Sequence, residues 1–238
     1  MERDVMNDDR RITQYICSIN DCELADCDKV LMFLPKDRQE KYKKYKMEDD
    51  KKRCVISALL LKYIVFYEYG VKNIDEWFYS HYGKPRLKYY PNIYFNISHS
   101  GEWVAVSVGT CNHGIDIEHS FRDAKRLSNL ILSEREQKES QEMSLKQVNN
   151  YLISRCNLKE SYVKMTGQGL LKPFTELDIE KRGRHISLYD CGEKIKGIII
   201  KQYKLENGYW YSICVECEEY DINQLEEISI DELFKMIF

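Results

Sequence analysis

From residue 55 to residue 67 apolar side chains recur every three or four positions (Val55, Leu59, Tyr63, Phe66), the period of a helix with one face on a core. A densely charged stretch, residues 36–46, runs into this segment, so residues 37–69 read as one or two helices, with Gly70 as a stop. A second helical stretch covers residues 121–138, with Leu127, Leu130 and Ile131 as its apolar face, and a third covers residues 147–165. Elsewhere the pattern shortens towards alternation. Residues 12–19 read as a strand, then 76–79, 93–98, 103–108 and 114–118, separated by turn residues such as Ser100-Gly101 and Cys111-Asn-His-Gly114. Strands follow at 177–179, 186–189, 196–203 and 209–217, and a short helix at 231–236 ends the pattern. Each half thus has a long helix followed by antiparallel strands, without an identity repeat. The expected fold is α+β: a pseudo-twofold duplicated unit, two similar lobes with the active site at their interface.

Composition narrows the function. Lys+Arg total 36 and Asp+Glu 39, a net charge of −3, which argues against bulk nucleic-acid binding, since that needs a basic face, while local basic clusters stay possible. The longest apolar run, residues 55–67, contains Lys62 and falls short of the roughly 20 residues that cross a bilayer. Residues 1–10 are polar and acidic, without a signal-peptide core. A soluble, cytoplasmic protein with no membrane partner is expected. Nine cysteines without framework spacing suit reduced thiols. The lone Cys214-Val-Glu-Cys217 lies in an alternating run that turns its sulfurs to opposite faces, which argues against redox or zinc chemistry.

Chemistry-bearing residues fall in three places. In Gly114-Ile-Asp-Ile-Glu118 an extended chain turns Asp116 and Glu118 to one face, about 7 Å apart, with the isoleucines on the other. Such a pair is either a solvated strand face or an all-oxygen site for a hard cation such as Mg2+ with bound phosphate. In Lys159-Glu-Ser-Tyr-Val-Lys164 the side chains of Glu160 and Lys164 share a helix face. They form an ordinary surface ion pair or, with Gly167 and Gly169 downstream, a helix end closed against a ligand. Basic residues between Arg38 and Arg53 mostly balance neighbouring acids, but two or three of them could clamp a phosphate. Lys84 sits in a tight turn, His81-Tyr-Gly-Lys-Pro85.

In this order, Tyr82-Gly-Lys-Pro85, Phe95-Asn-Ile-Ser-His-Ser-Gly101, Gly114-Ile-Asp-Ile-Glu118 and Lys159-Glu-Ser-Tyr-Val-Lys164 with Gly167 and Gly169 resemble the 4′-phosphopantetheinyl transferases. The resemblance is to the larger, monomeric, two-lobed type that activates peptide and polyketide synthases (the surfactin-synthetase activator type). It extends over most of the chain, from the basic helix near Arg38 to at least Leu171; the last sixty residues match only in pattern.

The resemblance implies a holo-acyl-carrier-protein-synthase type of enzyme, monomeric, of fatty-acid or secondary-metabolite biosynthesis. It would move the 4′-phosphopantetheine group of coenzyme A to a serine of an acyl, peptidyl or polyketide carrier protein, with Mg2+, releasing 3′,5′-ADP. Residues 1–112 would form the coenzyme A lobe, and residues 113–238 the lobe for magnesium and carrier. Asp116, Glu118 and Glu160 would hold the metal, Glu160 would serve as base, and Lys164 would act on the leaving phosphate. Arg38, Lys41, Arg53, Lys84, Ser98, His99, Asp116 and Lys164 would contact coenzyme A. The carrier would dock on residues 119–132, including Phe121, Leu127, Leu130 and Ile131. Two departures stand out: Cys156 replaces the family's usual tryptophan ahead of Lys159-Glu160, and Cys54 stands where a small hydroxyl residue is common. A decayed, binding-only relative is the main alternative. A generic magnesium phosphatase lacks a nucleophile loop or P-loop here.

Overall fold

The computed structural model describes residues 11–119, 124–205 and 208–236. The described residues up to Asn112 and those from Tyr220 on form one compact unit, and His113–Glu219 forms a second. Among the described residues no helix is long and apolar enough to cross a membrane.

The first unit is organised by a 22-residue helix, α3 (Glu48–Tyr69), that follows α1 (Leu24–Val30) and α2 (Lys36–Lys44). Ten of its residues are buried, among them Val55, Leu59, Leu60 and Ile64, so the apolar stripe wraps well round the helix. The helix stops at Gly70, whose φ of +65° is costly for other residues; its N–H bonds back to Phe66, and that of Val71 to Val65. The helix packs on β1 (Arg11–Ser18), β4 (Tyr94–Ser100) and β5 (Trp103–Gly109), an antiparallel sheet in the order β1-β5-β4. A small hairpin, β2 (Trp77–Tyr79) and β3 (Pro85–Leu87), precedes β4.

The second unit repeats the scheme element by element. It begins with β6 (His113–Glu118), continues through α4 (Ala124–Ile131) and α5 (Glu134–Ser140), and reaches another 22-residue helix, α6 (Leu145–Thr166). A meander of β7 (Leu177–Arg182), β8 (His185–Asp190) and β9 (Glu193–Lys194) precedes β10 (Ile199–Lys204) and β11 (Trp210–Val215). The sheet order β6-β11-β10 matches β1-β5-β4, with α6 packed on β6 and β11 and stopped by Gly167 at φ +79°. Leu158, Val163, Leu177, Ile179, Leu188 and Cys214 belong to one of its hydrophobic clusters. The α+β duplication expected from periodicity is present in both units.

Three features differ from expectation. The helix expected over residues 121–138 is two helices, with Phe121 outside the described residues. Ser133 takes the Glu136 N–H on its hydroxyl while the Glu136 carboxylate takes the Ser133 N–H, and this reciprocal cap starts α5 afresh. Helix α1 and the two-residue strands β9, β12 (Asp221–Ile222) and β13 (Glu226–Glu227) are too short for a hydrophobic period to reveal. Finally, the chain from Tyr220 on, expected in the second lobe, pairs with the first: β12 and β13 run parallel to β1, and the terminal helix α7 (Ile230–Lys235) packs on α3.

Candidate active site

In the second unit β6 crosses α6 at very close range. A Cβ added at Gly114 would lie 2.2 Å from the Ser161 carbonyl oxygen and 2.3 Å from the Met165 nitrogen, both backbone atoms. Only glycine permits that approach, which brings the side chains of the two elements together. Asp116, buried on β6, receives Lys164 Nζ on Oδ1 at 2.7 Å and Asn157 Nδ2 on Oδ2 at 3.0 Å. Lys164 Nζ also lies 4.0 Å from Glu160 Oε1, so the lysine of α6 faces carboxylates of both elements. Glu118, half-buried at the end of β6, takes the His119 N–H at 2.9 Å.

Burial pushes the Glu160 carboxyl above the usual carboxylate range; Lys164 opposes this, and the charges of Asp116 and Glu118 add to it. Asp116, Glu118, Glu160 and Lys164 therefore act on one another electrostatically within this unit. Cys156 belongs to the same neighbourhood: burial raises its thiol pKa, and Asp116, Glu160 and Glu118 raise it further. It packs beside the small apolar cluster of Ile131, Leu132 and Leu152 and supplies no charge to the carboxylates.

The donor set suits a hard divalent ion: three carboxylates, oxygen atoms only, with Glu160 kept from easy ionisation by burial and then by its like-charged neighbours. Among the described residues, the ligand atoms drawn within 4.8 Å of one another are instead those of Glu176, Asp190 and Cys191. There Lys172 bridges Glu176 and Asp190 at 2.7 and 2.6 Å, more tightly than Lys164 spans Asp116 and Glu160 at 2.7 and 4.0 Å, and one of the three groups is a thiol rather than an oxygen donor. Magnesium keeps waters and takes few protein carboxylates directly, so the looser set on β6 and α6 fits it.

The neighbour of Glu160 points elsewhere. Lys159 is fully buried and donates to Glu136 at 2.5 Å and to the carbonyls of Ile131 and Phe174 at 2.8 and 3.0 Å. Glu136, also fully buried, accepts from the Ile179 N–H at 3.0 Å. One step along α6 thus separates a structural lysine from a site glutamate. Sequence reasoning missed the role of Lys159, and it missed Asn157; the helical spacing of Asn157, Glu160 and Lys164, three and four apart, was the available signal.

In the first unit the expected basic residues fall in several groups. Arg38 lies over the Trp77 ring, 4.3 Å from its centroid, and donates to the Tyr79 hydroxyl at 3.0 Å. Lys41 donates to the same hydroxyl at 3.1 Å, and Tyr79 in turn donates to Asp37 at 2.6 Å. Burial, then the Arg38 charge, hold the Lys41 ammonium below its ordinary pKa. Cys54 of α3 approaches the Arg38 carbonyl at 3.6 Å, a backbone contact that fixes α2 on α3. Arg53 donates to the Gly101 carbonyl at 2.6 Å and to Asp50 at 2.7 Å, which ties α3 to the β4–β5 turn just after His99. On β4, Ser98 is buried and His99 exposed. Lys84 closes the β2–β3 turn, its N–H on the Ser80 hydroxyl, and its ammonium donates to Asn112 Oδ1 at 2.7 Å.

Comparison with known proteins gives consistent matches. A family model described as the N-terminal part of 4′-phosphopantetheinyl transferase matches residues 22–111, and one described as the 4′-phosphopantetheinyl transferase superfamily matches residues 112–214. The chain is 26% identical over 188 residues to the 4′-phosphopantetheinyl transferase ffp of Bacillus subtilis, covering 79% of this chain and 84% of the relative. It is 23% identical over 207 residues to the transferase Sfp of Bacillus subtilis strain 168, covering 87% and 92%. The transferase gsp of Aneurinibacillus migulanus is 27% identical over 180 residues, 75% of each. Among solved structures, a holo-(acyl-carrier-protein) synthase from Bacillus anthracis in complex with CoA (3′,5′-ADP) matches 44% of this chain and 94% of its own, with 18% identity and a TM-score of 0.36.

Proposed function

Because the chain belongs to the 4′-phosphopantetheinyl transferase superfamily, we propose that it transfers the phosphopantetheine arm of coenzyme A to a serine of an acyl, peptidyl or polyketide carrier protein. The observation that carries the reading is the 2.7 Å ion pair between buried Asp116 of β6 and half-buried Lys164 of α6, whose helix face also presents Glu160.

In this reaction the serine oxygen attacks the β-phosphorus of coenzyme A, a new P–O bond forms, and the bond to the 3′,5′-ADP oxygen breaks. A serine hydroxyl needs a base within hydrogen-bond reach. Glu160 is that base, and burial, which raises its pKa, favours proton uptake by its carboxylate. Lys164 stabilises the charge that grows on the departing phosphate. Bound Mg2+, held by Asp116, Glu118 and Glu160, would supply Lewis-acid stabilisation of the pyrophosphate oxygens. The cations of the first unit, Arg38, Lys41, Arg53 and Lys84, together with Ser98 and His99, bind the nucleotide end of coenzyme A. The Arg53 Nε, buried without a partner among the described residues, supports a ligand there. Carrier docking falls on residues 119–132, where Leu130 on α4 is 66% exposed while Ile131 and Leu132 turn into the core.

Incubation with coenzyme A, Mg2+ and apo carrier proteins tests this by mass spectrometry. The expected result is a carrier mass gain of one phosphopantetheine unit with stoichiometric 3′,5′-ADP, and a Glu160→Gln rate lower by roughly 10²- to 10⁴-fold. Full activity in Glu160→Gln overturns the assigned mechanism. Binding of coenzyme A without turnover on any carrier overturns the transferase reading.

A further inference from the structure

Asn157 is fully buried on α6, one turn before Glu160. Its amide nitrogen donates to Asp116 Oδ2 at 3.0 Å, to the Asp116 carbonyl at 2.9 Å and to the Trp210 carbonyl at 3.3 Å. Two of these acceptors are carbonyls and cannot donate, so they dictate which end of the amide faces β6 and β11. The other end is dictated as well. Gln202 Nε2 donates to the Ser154 carbonyl at 2.9 Å and to Asn157 Oδ1 at 3.1 Å. Gln202 Oε1 accepts from the Ser154 hydroxyl at 2.9 Å and from Lys181 Nζ at 3.1 Å. The Ser212 hydroxyl donates to the Asn157 carbonyl at 2.8 Å, which fixes the backbone beneath. A chain of polar groups thus runs from Lys181 and Ser154 through Gln202 and Asn157 to Asp116. Reversing either amide breaks bonds at both of its ends.

The consequence lies at Asp116. Asn157 takes Oδ2, so Oδ1 is left as the oxygen that meets Lys164 at 2.7 Å. Resting on the transferase reading above, we propose that Asn157, locked by Gln202, is a positioning residue: it fixes the Asp116 carboxylate so that Oδ1 is the atom presented to a cation. Outer-shell hydrogen bonds of this kind change metal affinity or activity by roughly 10- to 100-fold when removed.

The experiment compares wild type, Asn157→Ser, Gln202→Leu and the double variant. It reads Mn2+ binding by calorimetry, kcat and KM for coenzyme A, and cooperative melting. A fourth reading is the 13C resonance of the Asp116 carboxyl in the metal-free protein. In Asn157→Ser, Mn2+ binding and kcat are expected to fall about tenfold or more, with the KM for coenzyme A within about threefold. The Asp116 resonance is expected to move. Gln202→Leu should change both in the same direction by less, and the double variant should lose less than the product of the two, because both act through one carboxylate. If Asn157→Ser does not fold, Gln202→Leu decides alone, since it leaves α6 intact. A folded variant with wild-type Mn2+ binding, kcat and Asp116 resonance overturns the proposal. So does a loss confined to melting temperature. Wild type without turnover or Mn2+ binding sinks the transferase reading instead, and the Asp116 resonance still decides whether Asn157 positions that side chain.

Discussion

Glu160 is a carboxylate that the fold makes harder to ionise, and this has a measurable sign. Its folded pKa lies above the ordinary value, through burial first, so between the unfolded and folded pKa the native state holds more proton. Stability of the metal-free protein should therefore fall as pH rises through that window, just above the usual carboxylate range. Glu160→Gln removes the ionisable group. Its melting temperature should exceed that of wild type at pH 7, and the two should converge at acid pH, where both side chains are neutral. A Gln variant that melts lower than wild type at pH 7 without metal contradicts the assigned strain. Gly114 is a second residue-scale case. A methyl there meets backbone atoms of α6 at 2.2 and 2.3 Å, which no rotamer change can relieve. Gly114→Ala should cost about 3 kcal/mol or more in chemical denaturation, at the upper end for overpacking. The glycine of the Gly114-Ile-Asp-Ile-Glu118 motif is plain in the sequence; the α6 backbone that demands it is not, because that contact joins positions some fifty residues apart.

At the scale of elements, α5 and α6 are joined by a charge pair sealed from water. Lys159 and Glu136 are both fully buried, and Glu136 also holds the Ser133 and Ile179 N–H groups. Removing one partner of such a pair costs about 3–5 kcal/mol where the other charge is left alone; here Arg155 Nε, 3.4 Å from Glu136 Oε1, partly compensates the glutamate, so the lower end applies. Lys159→Met should lose that much in urea unfolding, and it also orphans the Ile131 and Phe174 carbonyls. Lys159→Met molecules that remain folded should still bind coenzyme A, because the first unit's cations are untouched. An unchanged urea midpoint would show that the pair contributes nothing. Read from sequence, Lys159 and Glu160 are equivalent charged neighbours; a helix turns them about 100° apart, and only the position of α5 shows which faces inward. The same limit split the helix expected over residues 121–138. Its Ser133-x-x-Glu136 cap is legible, but the apolar positions stop at Leu132 and the charged helix formers that follow it run on without a turn residue, which hides the break. Long periodic elements, α3 and α6 above all, were legible because each carries its burial pattern over many turns.

At the scale of the whole molecule, the chain from Tyr220 on completes the first unit, though the sequence pattern assigned it to the second lobe. Its strands are two residues long and parallel to β1, and Gln14 on β1 reaches the Asn223 carbonyl at 2.6 Å. Such pairing leaves no alternation to read. Its contribution to stability is nonetheless large. Ile222, Ile228, Ile230 and Leu233 are all buried, and at about 1.5–3 kcal/mol for each side chain their loss totals roughly 6–12 kcal/mol, an upper bound. That approaches the about 5–15 kcal/mol net stability of an entire domain. The Tyr63 and Tyr220 hydroxyl contacts, to Glu232 and Thr110, go with them. A chain ending at Glu219 should therefore lose the first unit first. Hydrogen exchange is expected to show β1, β4, β5 and α3 unprotected while β6, α6 and β11 keep their protection. Coenzyme A binding should vanish with the platform that carries Arg38, Lys41 and Arg53, even though Asp116, Glu160 and Lys164 remain in place. Protection retained in β5 of the shortened chain would mean that α3 and the three strands β1, β5 and β4 hold that unit without their C-terminal cover.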